Sequence, residues 1–190
     1  MQIKKTIKKT FNYFGLEIKK KDKEINELSF DEIIKKKILK SDPLIIDIGA
    51  NKGQSIEKFS NLFDKSVIHS FEPVTKEFDE LKKKFGGKKN IFLNNYAIGD
   101  KKEKKYLNIT AKTENSSFNK INLGTDWIKK RSKEYSVNEN EYIEHQQEVD
   151  LDTLDNYCNE NNIDNIDILK IDTQGYEDKV LEGCFKLIQK

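Results

Sequence analysis

The run Asp47-Ile48-Gly49-Ala50-Asn51-Lys52-Gly53-Gln54-Ser55 places a carboxylate, two glycines and several small polar side chains within one short stretch. The apolar residues 44–48 precede it, and Ile56, Phe59 and Phe63 follow at helical spacing, so it lies where a strand turns into a helix. Open α/β sheets bind ligands at such turns. Gly49 and Gly53 would let a ligand approach the backbone, and the helix N-terminus offers unsatisfied N–H groups. A phosphate loop requires Lys immediately after the second glycine, where Gln54 stands. A dinucleotide fingerprint requires G-x-G-x-x-G, but Ile48 and Ala50 occupy the places of the additional glycines. What remains is D-x-G-x-x-x-G with an acid at the strand end. Such an acid suits a ligand with a cationic reactive end, and S-adenosylmethionine is such a ligand.

Two further constellations belong with this loop. Phe71-Glu72-Pro73 ends the next apolar run, and a carboxylate there can accept hydrogen bonds from both hydroxyls of a ribose. Nicotinamide cofactors share that feature, so Glu72 alone also admits an oxidoreductase. Near the C-terminus, Ile166-Asp167-Ile168-Leu169-Lys170-Ile171-Asp172-Thr173-Gln174-Gly175-Tyr176-Glu177 reads as a strand delivering Asp172, with Lys170 two residues earlier on the same face. Gly175 permits a tight turn, and Glu177 falls in the first turn of the last helix. Asp172 is either a site carboxylate or a helix cap.

The other polar residues admit two readings each. His69, in mid-strand, and His145 read as structural before catalytic, and neither belongs to a Cys/His or Ser/His constellation. Ser116 and Ser117 face either a ligand or solvent. Asp152 is expected to cap a helix. Trp127 either anchors a long polar insertion or offers an aromatic platform to an acceptor, since sugars stack on aromatic faces. Cys158 and Cys184 show no metal-ligand spacing, predict no metal site, and read as small buried apolar residues of a reduced, cytoplasmic protein.

The elements that must position these groups alternate. Strands are predicted at 44–48, 67–71, 91–98 and 166–171, with helices at 54–63, 75–85, 152–160 and 176–188. Between them, strand 104–110 is expected to form a hairpin with the preceding strand through Gly99-Asp100, and 142–149 adds another strand. The expected fold is an α/β, Rossmann-like sandwich with a central β-hairpin and loop insertion at 104–149. It is preceded by a helical extension over 1–40 that includes a helix at 30–39. In residues 1–23, Ile3, Ile7, Phe11, Phe14 and Ile18 form one stripe among eight lysines. This basic amphipathic helix would either lie on an anionic membrane surface, at its cytoplasmic face, or pack on the domain.

Composition narrows the function class. The chain has 190 residues and a net charge of +2, and its 35 basic residues include a single arginine, Arg131. Guanidinium forks read phosphates and guanine edges, so their scarcity argues against sequence-specific nucleic-acid binding. No apolar stretch approaches the roughly 18 residues of a membrane span, and the basic N-terminus lacks an apolar signal core. Integral membrane and secreted proteins are therefore not expected.

The segments IIDIGANKGQS (45–55), SFEP (70–73), NYAIGD (95–100), ENSSF (114–118), VDLDTLDNY (149–157) and DILKIDTQGYEDKVLEGC (167–184) together resemble the FkbM family of S-adenosylmethionine-dependent methyltransferases in order and spacing. The resemblance covers residues 41–190 and implies a class I methyltransferase fold and methyl transfer to oxygen, on glycans or related small hydroxyl compounds. It implies that Asp47, Gly49, Asn51 and Gly53 line the methionine end, that Glu72 holds the ribose, and that Tyr96 and Ala97 flank the adenine. Ala50, Gln54, Ser55 and Pro73 complete the implied cofactor set, and Ser117 and Gln174 face the acceptor. Asp172 is the candidate base or orienter, with Glu177 as second choice. Lys170 would hold Asp172 ionised or stabilise a developing alkoxide.

Two departures accompany the resemblance. Gln174 stands where the family more often has Glu. Family members also continue beyond the last helix, which would leave strand 166–171 as an apolar edge unless a second copy covers it. A fragment serving as a cofactor-binding or interaction module is therefore the competing expectation.

Overall fold

The structure, a computed structural model, describes residues 28–188. The basic stripe of residues 1–23 lies outside the described residues. The chain divides into two units, residues 1–39 and 40–190. In the first, helix α1 (Phe30–Lys37) opens with a capping box: the Ser29 side chain accepts from the Glu32 N–H, and the Glu32 carboxylate accepts from the Ser29 N–H. Asp31 and Glu32 in its first turn and Lys35, Lys36 and Lys37 in its last complement the helix dipole.

The second unit contains β1 (Leu44–Ile48), α2 (Gln54–Leu62), β2 (Val67–Phe71), α3 (Thr75–Phe85), β3 (Ile91–Asn94), β4 (Ala97–Ile98), β5 (Glu103–Thr110), α4 (Asp126–Tyr135), β6 (Ile143–Asp152), α5 (Leu154–Glu160), β7 (Ile168–Ile171), α6 (Glu177–Glu182) and α7 (Phe185–Ile188). β3, β2, β1 and β7 form a parallel sheet in that order. Alternation assigns its two faces. Ile46, Ile48 and Phe71 enter a core with Leu154, Tyr157, Cys158, Val180 and Cys184, so both cysteines are buried, and neither forms a disulfide. Among the described residues no helix is long and apolar enough to cross a membrane.

A second sheet, ordered β4-β6-β5, forms the insertion, and here the expected hairpin is corrected. β5 does not pair with β4 across Gly99-Asp100. Instead β6 lies between them, parallel to β4 and antiparallel to β5. The predicted strand 91–98 divides after Asn94 because its two halves join different sheets. A turn dipeptide favours chain reversal but does not choose the pairing partner; an eight-residue match of β5 with β6 outcompetes the two-residue β4. The polar stretch after β5 also contains a helix, α4, capped by Thr125.

Two helix boundaries are set by tertiary contacts. Thr153, not Asp152, caps α5 by accepting from the Asn156 N–H. Asp152 accepts from the Thr153 N–H and the Asn156 amide and pairs with Lys102 at 3.2 Å. The helix predicted over 176–188 breaks into α6 and α7 at Gly183. A Cβ at Gly183 would lie 1.9 Å from the Gly99 carbonyl oxygen, and the Asp155 carboxylate accepts from the Lys186 and Leu187 N–H groups at the start of α7.

Candidate active site

β1, β2 and β7 end side by side, and their ends are tied to one another. The Gly49 and Ala50 N–H groups both donate to the Phe71 carbonyl at 3.0 Å, and the Asp172 N–H donates to the Ile48 carbonyl at 3.0 Å. Gly49 has φ +79°, and a Cβ there would lie 2.0 Å from the Asp172 carbonyl oxygen, so only glycine permits this crossing. Gly53 (φ +85°) is required for a different reason: a Cβ there would strike Phe85 and Leu81 of α3. Gly53 thus serves helix packing, and it is absent from the cavity wall.

These strand ends open into a cavity of about 410 Å³, within the usual size of a small-molecule site. Of the residues expected to hold a cofactor, Gly49, Ala50, Asn51, Gln54, Ser55, Glu72, Pro73 and Ala97 line it. Asp47 and Tyr96 do not. Tyr96 packs on the core edge-on to Phe71, their ring centroids 5.4 Å apart.

Asp47 lies fully buried between its register partners, Ser70 of β2 and Lys170 of β7. Lys170 Nζ is 3.1 Å from Asp47 Oδ1 and donates to the Gly49 carbonyl at 2.7 Å. Burial pushes the Asp47 carboxyl above its ordinary value, against the pull of Lys170. Lys170 therefore braces the β1 turn from beneath, and its partners are Asp47 and Gly49 rather than Asp172.

Glu72 is 4% exposed, and both of its oxygens are held by backbone: Oε2 accepts from the Asn51 N–H at 2.7 Å and Oε1 from the Val74 N–H at 2.8 Å. Burial raises its pKa from 4.5 to about 7, although the Val74 and Asn51 N–H groups oppose the shift. Beside it, the Asn51 side-chain oxygen is buried without a hydrogen-bond partner among the described residues, on a backbone held at φ 47°. The Asn51 oxygen lacks a donor, and each Glu72 oxygen has a single backbone donor and room for another, so a bound ligand with hydroxyl or ammonium groups would supply what is missing.

Asp172 is exposed and lines the cavity; its Oδ1 accepts from Gln174 Nε2 at 2.8 Å. Gln174 also lines the cavity, on a strained backbone at φ 56°. Glu177 lies outside the wall: its carboxylate accepts from the Thr173 and Gly175 N–H groups and so shapes the turn after Asp172. Burial acts to raise the Glu177 pKa, but these backbone donors hold it below the ordinary value. Ser117 donates to the Gln174 carbonyl at 2.8 Å, bracing the same turn, while Ser116 reaches the cavity. The histidines lie elsewhere. His69 stacks on Phe92 with Nδ1 2.6 Å from the Tyr157 hydroxyl, and burial lowers its pKa to about 4; His145 is exposed on β6.

The insertion roofs the cavity, a feature that residue patterns did not reveal. Thr113, Glu114, Asn115 and Phe118 line it from a segment anchored at both ends. The Thr113 hydroxyl donates to buried Glu77 at 2.7 Å, and Asn108 and Ser117 exchange backbone hydrogen bonds. Lys52 and Glu114 approach to 3.9 Å from the loop and roof sides. Phe118 and Tyr176 meet with centroids 4.8 Å apart, and Lys105 lies over both rings and donates to the Tyr176 hydroxyl. Within this segment residue type singled out Ser116 and Ser117 and the family resemblance singled out 114–118, but neither marked a roof, because a short polar stretch has no periodicity.

Over 153 residues the chain is 24% identical to the 2-O-methyltransferase NoeI of Sinorhizobium fredii (strain NBRC 101917 / NGR234); the alignment covers 80% of this chain. The chain spans 61% of the length of that curated relative. Among solved structures, a methyltransferase FkbM from Methylobacillus flagellatus KT superposes with a TM-score of 0.48 at 13% identity, over 78% of this chain and 30% of that one. Residues 47–190, from the buried Asp47 through the last helix, match the methyltransferase FkbM domain, and the chain belongs to that family.

Proposed function

We propose that the chain binds S-adenosylmethionine in the cavity above β1, β2 and β7 and methylates a hydroxyl oxygen of a glycan or related small molecule. The observation that carries this reading is the pairing of Glu72, desolvated and backbone-braced, with the orphaned oxygen of Asn51 in one cavity wall. Ribose hydroxyls would donate to Glu72, and an ammonium group would satisfy Asn51. The bound cofactor supplies an activated methyl group, so the protein's task is to align the acceptor, exclude water and receive a proton. The roof residues restrict water, and of the two exposed carboxylates in the wall Glu114 faces Lys52, whereas Asp172, at the end of β7, is the one that can take the proton.

Calorimetric titration with S-adenosylhomocysteine tests the cofactor site. Micromolar binding is expected for the wild type, with affinity reduced at least tenfold in Glu72→Ala; a folded wild-type chain that binds none would overturn the reading. A pH series adds an independent signature. Only the ionised Glu72 accepts from two hydroxyls, so affinity should fall as pH drops through about 7, reaching roughly tenfold below its plateau one unit lower. Stability of the free protein carries the opposite sign. A carboxyl whose folded pKa is raised binds more protons folded than unfolded between 4.5 and about 7, so its contribution weakens as pH rises through that window. A flat affinity profile from pH 6 to 8 would show that ligand binding is not linked to titration of Glu72 in this range.

Placement at a membrane is also proposed, from sequence: residues 1–23 carry a net charge of +6 around one apolar stripe. Sedimentation with anionic vesicles should be lost on deleting them, and equal sedimentation of both chains would dismiss the idea.

A further inference from the structure

A second cavity of about 250 Å³ adjoins the first. The two share Asn115 and Gln174 in their walls, so the second opens beside the Asp172–Gln174 pair. Its lining is unusual for this chain. Although 36% of all residues are charged, none of the ten that line this cavity carries a charge. Four are amides, Asn115, Asn119, Asn122 and Gln174, and the exposed aromatic surface comes from Trp127, with Tyr142 buried behind it.

The parts are held in place from both sides. Asn119 donates through its amide to the Gly175 carbonyl, and Ser117 donates to the Gln174 carbonyl, so the turn after Asp172 and the insertion form one wall. Asn115 is fixed by donating to the Tyr135 hydroxyl at 2.9 Å. Trp127 stands edge-on to fully buried Tyr142, with centroids 6.1 Å apart, yet leaves 51% of its own surface exposed. The Arg131 guanidinium lies 5.5 Å from the Trp127 ring and is itself paired with Glu134 at 2.8 Å.

We infer that this cavity is the acceptor subsite and that it selects an uncharged, hydroxyl-rich acceptor, a neutral saccharide unit, over an anionic one. Beyond its bond within the protein each amide keeps a further N–H and acceptor capacity, the combination that hydroxyl groups need, and an indole face packs against the C–H face of a sugar ring. A carboxylate or phosphate in the same place would be desolvated without a cation among the lining residues to pair with it. The shared wall then delivers one hydroxyl of the occupant to Asp172. The assignment rests on the methyl-transfer reading for its chemistry, but its binding selectivity can be measured separately.

Trp127 is the single tryptophan of the chain, so fluorescence excited at the red edge, beyond tyrosine absorption, reports this cavity. The full chain is titrated with maltotriose, mannotriose and triacetylchitotriose, and with trigalacturonate, in the presence and absence of S-adenosylhomocysteine. At least one neutral trisaccharide should shift the Trp127 emission, with a dissociation constant at least tenfold lower than that of trigalacturonate. Two variants refine the result. Trp127→Ala, followed by saturation-transfer NMR, should weaken the neutral trisaccharide at least tenfold. Asn122→Lys, at an exposed lining position, should bring trigalacturonate to within threefold of the neutral ligand. No fluorescence response to any neutral trisaccharide, equal affinity for the acidic one, or an unchanged preference in Asn122→Lys would overturn the inference. Saccharide binding without S-adenosylhomocysteine binding would support the subsite and count against the methyl-transfer reading alone.

Discussion

Asp172→Asn should slow methyl transfer by roughly 10²–10⁴-fold, the usual contribution of a positioned general base, while leaving S-adenosylhomocysteine affinity within threefold. The backbone of Asp172 is fixed by its hydrogen bond to Ile48 and by the close approach of Gly49, so an isosteric amide keeps its place. Its side-chain partner is Gln174, a neutral donor to Oδ1, which leaves Oδ2 for an incoming hydroxyl. Two other charged candidates are already engaged: Lys170 with Asp47 and Gly49, and Glu177 with the backbone of the following turn. The measurement is single-turnover transfer from methyl-labelled cofactor to a carbohydrate extract. Equal rates in wild type and variant would remove Asp172 as the proton acceptor. Glu177→Gln gives the contrast, since it should lower the unfolding midpoint by loosening that turn.

The second large effect is on stability. Gly49→Ala should destabilise the fold by about 3–5 kcal/mol, combining a side chain forced into left-handed backbone with overpacking against a peptide group. The Cβ would sit 2.0 Å from the Asp172 carbonyl oxygen, and the obstacle is backbone immediately after the neighbouring strand β7, which cannot rotate aside. Such a loss is a large share of the roughly 5–15 kcal/mol that holds a typical domain together. Gly87→Ala is the control, because a Cβ there meets nothing within 4 Å. Urea denaturation should give a much lower midpoint for Gly49→Ala and a wild-type midpoint for Gly87→Ala. Similar midpoints for the two variants would mean that β1 and β7 do not cross as closely as described.

Much of the fold was legible residue by residue. Leu44–Ile48, Val67–Phe71 and Thr75–Phe85 have the bounds that their apolar patterns predict, because those patterns are local and strand and helix periods differ. The loop after β1 and Glu72 after β2 followed from the same logic: in a parallel sheet, strand ends gather on one edge, whatever the loops contain. Gly49 was legible as a glycine with a task, and Asp172 as a carboxylate at a strand end.

Other roles were decided by partners distant in sequence. Register, which no single strand encodes, sets Lys170 beside Asp47, and that pairing turns a presumed helper of Asp172 into a brace for the glycine turn. Gly53 looked like a ligand contact until Phe85 and Leu81 packed onto it, and the predicted final helix divides where Asp155 caps a second start. The β6 strand displaces the hairpin that Gly99-Asp100 suggests, because long-range pairing yields more hydrogen bonds than a two-residue strand can. The charge-free cavity beside Trp127 is assembled from α4, the roof segment and the turn after Asp172, which are distant in sequence. The sequence by itself determined the elements and the carboxylates they carry, since these depend on periodicity and residue type; the tertiary structure decided which groups meet, since that depends on how separate elements pack.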